Sequence, residues 1–236
     1  MELATSQTLL RYPANLWSRW RYKLRSTLGL VRPEERRQEL VGPAHLWEMK
    51  RDFQIAFLKE QGLKPHHCLL DFGCGVLRGG LPLIEYLAPG HYYGYEVRPA
   101  VLEEGRKALE ESGLALKAPM LLSGELNDLS TRSFDFIWAF SVLIHMSDHV
   151  LQESLPWISG HLEPTGRFFA NVNLDPGTDG EWQGFPVVCR SLAFYGEAAK
   201  RCGLRVQSLG RLASLGHVSG SRVQDNQVML EFSLEN

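Results

Sequence analysis

Long apolar runs are absent from the sequence. No stretch approaches the ~18 consecutive apolar residues that a membrane-spanning helix needs. The first residues, Met1-Glu2-Leu3-Ala4-Thr5-Ser6, have neither the basic region nor the apolar stretch of a secretory signal. Cysteine is scarce. Cys68, Cys74, Cys189 and Cys202 make no Cys-x-x-Cys pair, which argues against a zinc knuckle and fits reduced thiols in a cytoplasmic protein. Net charge is small too, −2 over 236 residues, so no global electrostatic case exists for nucleic acid or an anionic membrane. What the chain does have is 44% hydrophobic residues, enough for one α/β domain with a large core and some additions. No internal repeat and no second domain is visible.

The organising stretch runs from Cys68 to Gly80, Cys-Leu-Leu-Asp-Phe-Gly-Cys-Gly-Val-Leu-Arg-Gly-Gly. An apolar strand meets Asp71, then Gly73 and Gly75, then a helical pattern at Leu81, Leu83, Ile84 and Leu87. Strand, glycine turn and helix start form a nucleotide-cofactor site, because glycine lets the backbone turn and approach a ligand closely. Two common cofactor loops do not fit. The Walker loop ends in Gly-Lys-Ser/Thr, which is missing here. A dinucleotide loop wants a third glycine where Arg78 stands. Asp71, directly ahead of the glycines, would sit awkwardly beside a pyrophosphate but suits a ligand carrying an ammonium group.

Further along, Tyr92 to Glu96 reads as a second strand, and Glu96 follows Asp71 by about 25 positions. An acid at that distance accepts hydrogen bonds from ribose hydroxyls in nucleotide-binding α/β domains. Pro119 to Leu122 is a short third strand. Phe134 to about Phe140 is a buried fourth strand, and Arg167 to Val172 a fifth. Between them, helices are expected over His45–Gln61, Val101–Leu109 and Glu153–Leu162. Ser191 reads as the N-cap of a helix through Cys202. Leu204–Leu209 and Val228–Leu234 close the sheet. His145 follows the fourth strand, on the side where parallel sheets hold ligands; an imidazole there can take a proton from an acceptor. His145 and His149 are one turn apart with Asp148 between, but two histidines do not complete a ligand set, so no metal is expected.

Three segments resemble the class I S-adenosylmethionine-dependent methyltransferases of bacterial, small-molecule type. Hydrophobic-Asp-x-Gly-x-Gly at Leu70–Gly75 is similar to their first motif, although many members have another glycine where this chain has Leu77. Phe134-Asp135 through Val142-Leu143-Ile144-His145 is similar to their fourth-strand segment. Leu162-Glu163-Pro164-Thr165-Gly166-Arg167-Phe168 matches a third. Ser123-Gly124-Glu125-Leu126 resembles the adenine-binding segment, with Glu125 for the usual Asp. The passage from Gly42 to Gly80 looks like a subgroup whose loop ends in Leu-Arg-Gly-Gly. The likeness covers about residues 42–236 and is strongest over 64–172.

This resemblance implies a Rossmann-like, doubly wound seven-stranded sheet with one antiparallel strand near the end, preceded by an N-terminal helical extension (1–41). The methyltransferase domain would be 42–236, with 173–190 an irregular insertion and 210–227 a second substrate-side loop. S-adenosylmethionine would be the cofactor and S-adenosylhomocysteine the product. Asp71, Gly73, Gly75, Arg78, Glu96, Val97, Glu125, Leu126, Phe140 and Ser141 would bind it, Arg78 meeting its carboxylate. His145 would be the candidate base, and Trp182 and His217 (with Phe185) would line the acceptor pocket. A small-molecule acceptor with an oxygen nucleophile is expected, and no nucleic acid. Two alternatives stay open: a protein that binds the cofactor without methyl transfer (a partner subunit or a non-redox cyclase), and an NAD-type oxidoreductase. Residues 1–40, where Arg11, Arg19, Arg21, Lys23 and Arg25 interleave with Trp17, Trp20 and Tyr22, would be a lid, a membrane-surface helix, a grip on an anionic substrate or a packed extension.

Overall fold

The computed structural model describes residues 32–124, 129, 131–174 and 176–235. The basic, aromatic part of the N-terminal extension and the adenine-segment candidates Glu125 and Leu126 lie outside the described residues. Described helices are α1 (Pro33–Glu39), α2 (Trp47–Glu60), α3 (Gly80–Tyr86), α4 (Pro99–Glu111), α5 (Asp148–Gly160), α6 (Leu192–Lys200) and α7 (Arg222–Asp225). Strands are β1 (Leu69–Phe72), β2 (Tyr92–Tyr95), β3 (Met120–Leu122), β4 (Phe134–Ala139), β5 (Leu162–Leu174), β6 (Gly180–Trp182), β7 (Phe185–Val187), β8 (Cys189–Arg190), β9 (Leu204–Arg211) and β10 (Val228–Leu234). None of the described helices is long and apolar enough to cross a membrane.

The main sheet has the order β3-β2-β1-β4-β5-β10-β9. Strands β1 to β5 pair in parallel, and β10 runs antiparallel to both β5 and β9. This is the expected seven-stranded arrangement with one reversed strand near the end. Short β8 adds to the end of β5. Alternating residues of β4 feed two separate cores. Ile137 and Ala139 join a cluster with Leu151, Leu155 and Ile158 of α5 and Tyr195 and Ala199 of α6. Trp138 faces the other way, among Phe53 and Phe57 of α2, Leu83 of α3 and Leu102 of α4. Burial on both faces explains why β4 reads as a continuous apolar run rather than an alternating one. Trp138 is fully buried and donates its indole N–H to Gln54 Oε1 at 3.0 Å, pinning α2 to the sheet centre.

Within the expected N-terminal helical extension, Pro33 starts α1, with Glu34 and Glu35 in its first turn and Arg36 and Arg37 in its last. Arg37 reaches Glu111 of α4 at 2.7 Å and Glu104 at 3.4 Å. Three expectations need correction. Helix α5 begins at Asp148 rather than Glu153, capped by Ser147, whose hydroxyl accepts from Val150 N. Glu163-Pro164-Thr165-Gly166 reads as a turn ahead of the fifth strand, but it is only an irregularity within β5, between the pairings Phe134↔Leu162 and Phe136↔Arg167. The 173–190 insertion is not irregular throughout, because β6 and β7 form a hairpin. Its two turn residues, Gln183 and Gly184, both have positive φ (50° and 82°), the type I′ geometry that suits strand twist.

Candidate active site

The carboxyl ends of β1, β2 and β4 open into a cavity of about 720 Å³, within the ~300–1,000 Å³ typical of small-ligand pockets. Its floor is the glycine turn. Gly73 has φ +90°, and a Cβ there would stand 2.3 Å from Val142 Cγ2. Gly75 has φ +58°, and its Cβ would stand 2.7 Å from Val41 Cγ1. Leu77 also has a left-handed φ, 63°. That conformation is why glycine suits the position; here the cost of a side chain is offset by complete burial of the leucine in the α2–α3 core. Gly73→Ala is therefore expected to destabilise the protein by ~1–3 kcal/mol, read as a lower denaturant midpoint at unchanged slope.

Two buried charges of opposite sign flank this floor. Asp71 is 4% exposed and accepts from Tyr92 Oη at 2.7 Å. Burial pushes its carboxyl up to about 7, against the pull of the Tyr92 hydrogen bond and Arg78. Tyr92 itself stays protonated, since burial holds its phenol well above its ordinary value. Arg78 is buried as well: it is 8% exposed, and burial brings it down to about 10. Its Nη1 donates to Val41 O at 3.3 Å, while its Nε is buried with no partner among the described residues.

Glu96 lies across the floor, 4% exposed. Its Oε1 accepts from Arg98 N (3.1 Å) and Arg98 Nε (2.9 Å). Oε2 has only a 3.5 Å contact with Arg98 Nη2, which leaves it acceptor capacity. Arg98 also holds Leu40 O at 3.3 Å, so Leu40–Gly42 crosses the glycine turn between two guanidinium groups. Val97 is more than half exposed and lines the opening.

The opposite wall follows β4. Ser141 has φ +61°, and its N–H donates to Asn171 Oδ1 at 2.6 Å. Asn171 donates in turn to Gln227, and Gln227 to Asn173, a side-chain chain that fixes the turn after Phe140. His145 projects beyond it. Its Nδ1 lies 2.9 Å from Pro186 O; a carbonyl can only accept, so Nδ1 carries the proton and the lone pair sits on Nε2. Burial lowers its pKa, the Pro186 hydrogen bond opposing. Trp182 stacks on the imidazole at 5.2 Å, and Phe185 stands at 6.4 Å. The β6–β7 hairpin thus supplies both the aromatic wall and the carbonyl that sets the histidine tautomer.

Asp71, Gly73, Gly75, Arg78, Glu96, Val97, Phe140, Ser141, His145 and Trp182 all line this one cavity. His217 does not, and that expectation is corrected: the ring is 1% exposed. It packs against Phe53 and Phe140, with Nδ1 3.1 Å from Asp225 Oδ1. It supports the wall from behind, because its loop folds into a short turn and α7 that turn it inward. His149 pairs with Glu153 at 3.2 Å, and among the described residues no three His, Cys, Asp or Glu side chains converge. Cavity residues that the sequence pattern does not single out include Val41, Arg98 and Lys50, the last expected near the cofactor's amino-acid end only as one of Trp47–Arg51. Lys50 left a signal, since it stands three and seven positions ahead of Phe53 and Phe57 on the inward stripe of α2.

Residues 70–168 match the family described as a methyltransferase domain. No curated protein matches the sequence. Among solved structures, the chain is similar to magnesium protoporphyrin IX methyltransferase (ChlM) from Synechocystis with bound S-adenosylmethionine, at 15% identity and TM-score 0.61, covering 97% of this chain and 99% of that one. It is also similar to the glycopeptide N-methyltransferase MtfA with sinefungin (15%, 0.58, 78% and 93%). A third likeness is to the CcbJ methyltransferase from Streptomyces caelestis (13%, 0.60, 79% and 90%). At these identities the structural likeness is one of fold. Residues 70–168 thus match a methyltransferase domain, and the chain shares its fold with solved methyltransferases.

Proposed function

We propose that this protein transfers a methyl group from S-adenosylmethionine to an oxygen, rather than a nitrogen, of a small-molecule acceptor, leaving S-adenosylhomocysteine. Residues 42–236 are the catalytic unit in this reading, with 1–41 an extension over or beside the site. One observation carries the cofactor assignment: a buried carboxylate and a buried guanidinium, Asp71 and Arg78, stand at one glycine turn, with a second buried acid, Glu96, beside it. That set matches a ligand with an ammonium, a carboxylate and a ribose diol. The partnerless Nε of Arg78 is a donor awaiting an acceptor, since a buried unpaired donor is costly. Crystals of proteins with this fold hold S-adenosylmethionine or its analogues, which supports the same choice.

When bound, the cofactor supplies an electrophilic methyl group on a sulfonium. The chain's own residues do the rest. Asp71 meets the ammonium and Arg78 the carboxylate, Glu96 accepts from the ribose hydroxyls, and Val97 offers an apolar edge to the base. Trp182 and Phe185 shield the acceptor side from water. His145, with its lone pair on Nε2, takes the proton that an hydroxyl acceptor must lose; a base of lowered pKa is unprotonated at neutral pH. Holding nucleophile and electrophile in line contributes most of such a displacement's acceleration.

Calorimetric titration with S-adenosylhomocysteine and, in parallel, NADH tests the reading. Micromolar binding of the first alone is expected; binding of NADH alone would sink it. The affinity should weaken as pH falls through about 7, where Asp71 takes up a proton and loses its attraction for an ammonium. Asp71→Asn should bind at least tenfold more weakly at pH 8 and show a flattened pH profile.

A further inference from the structure

Lys50 is left over from that assignment. It is 7% exposed, on the inward face of α2, and lines the cavity. Among the described residues it has no ion-pair partner within reach. The acid whose charge it feels is Asp225, but that carboxylate is fully engaged. Oδ1 accepts from Ser219 N (2.8 Å) and Ser219 Oγ (2.7 Å) and faces His217 Nδ1, and Oδ2 accepts from Gly220 N (3.1 Å). The remaining charged or titratable neighbours are Arg78, at the cofactor end, and His145 and His217, on the acceptor side. Gln54, one turn along, cannot serve as partner: its amide donates to Lys50 O and its oxygen accepts from Trp138.

A zwitterionic cofactor end needs one anion and one cation, and Asp71 with Arg78 supplies both. Lys50 is then a second basic group whose charge has no counter-charge, set in a cavity whose acceptor-side wall is Phe140, Val142, Trp182 and Phe185. A buried charge persists only if something neutralises it. We infer that the acceptor itself brings that counter-charge: it is a small, largely apolar molecule bearing a carboxylate-type anion, held by Lys50 while its flat body lies along Phe140 and Trp182. This deepens the methyltransferase reading and rests on it. The anion fixes the acceptor's register, so that its nucleophile faces His145 rather than the cofactor end. Burial, together with Arg78, brings Lys50 down to about 7, so an arriving anion should draw a proton onto the amine.

The test is calorimetry at pH 8 with benzoate and phenol as probes, on protein saturated with S-adenosylhomocysteine and on protein alone, in two buffers of different ionisation heat. Benzoate should bind about tenfold or more tightly than phenol, with net proton uptake. Lys50→Met should abolish both the preference and the uptake while S-adenosylhomocysteine affinity stays within about twofold; Lys50→Arg should keep the preference. Three results overturn the inference: S-adenosylhomocysteine binding weakened more than tenfold in Lys50→Met, which gives Lys50 to the cofactor; no preference for benzoate in the wild type; or a preference that survives in Lys50→Met. A wild type that binds no S-adenosylhomocysteine overturns the cofactor reading instead, and the titrations on protein alone still decide the role of Lys50.

Discussion

Glu96→Ala is expected to weaken S-adenosylhomocysteine binding by about two orders of magnitude. Hydrogen bonds to a charged acceptor contribute ~1.5–3 kcal/mol each, and a ribose diol offers two donors. The substitution also strips Arg98 of its partner at 2.9 Å, leaving a guanidinium at the cavity edge with only Leu40 O and the face of Phe185 to meet. Glu96→Gln separates the two effects, since an amide oxygen still accepts while the charge is gone. A loss of about tenfold is expected for Gln. Calorimetry reads both, with thermal midpoints measured alongside to show that the fold persists. An unchanged affinity in Glu96→Ala would mean that the acid serves Arg98 and not a ligand.

His145→Ala is expected to lower kcat by ~10²–10⁴, the usual contribution of a positioned base, with S-adenosylhomocysteine affinity unchanged. The pH profile carries the sharper signature. Burial depresses the imidazole's pKa, so the wild type should hold its rate as pH falls through the ordinary histidine range and lose it only below. That acid limb should vanish in the variant. Stability carries the same sign: the unfolded chain binds this proton first, so His145 favours the fold above the ordinary range and that contribution is lost as pH falls. Single-turnover rates with an accepted substrate would measure the chemical step. A fall in kcat of less than threefold, with the acid limb intact, would leave His145 as wall rather than base.

Most of the glycine-turn side of the cavity was legible because its signals are local. Asp71, Gly73 and Gly75 are adjacent in sequence and in space, and a φ of +90° at Gly73 leaves the chain little choice of residue. The acceptor half was legible only in part. Trp182 was placed in the pocket, yet the hairpin carrying it was read as irregular, although Gln183-Gly184 between Trp182 and Phe185 is the two-residue turn such a hairpin needs. His217 misled because sheet topology alone puts its loop, 210–227, on the substrate side; only tertiary packing shows Asp225 drawing the ring inward. Helix α1 falls within the expected N-terminal helical extension, and its dipole-matched charges, acids first and arginines last, agree with its bounds. Lys50 is expected near the cofactor only as one of Trp47–Arg51, since one cation on an apolar stripe is weak evidence until burial is known.

The crossing of Leu40–Gly42 over the glycine turn has a thermodynamic consequence. Arg78 and Arg98 each hold a carbonyl of this segment, and each also stands at the cofactor groove. Whatever orders those guanidinium groups also orders the segment, and whatever releases the segment loosens them. Were a ligand to order these guanidinium groups, its occupancy and the docking of Leu40–Gly42 would be linked, and linkage is reciprocal. Ligand escape and release of this short segment would then be two readings of one equilibrium.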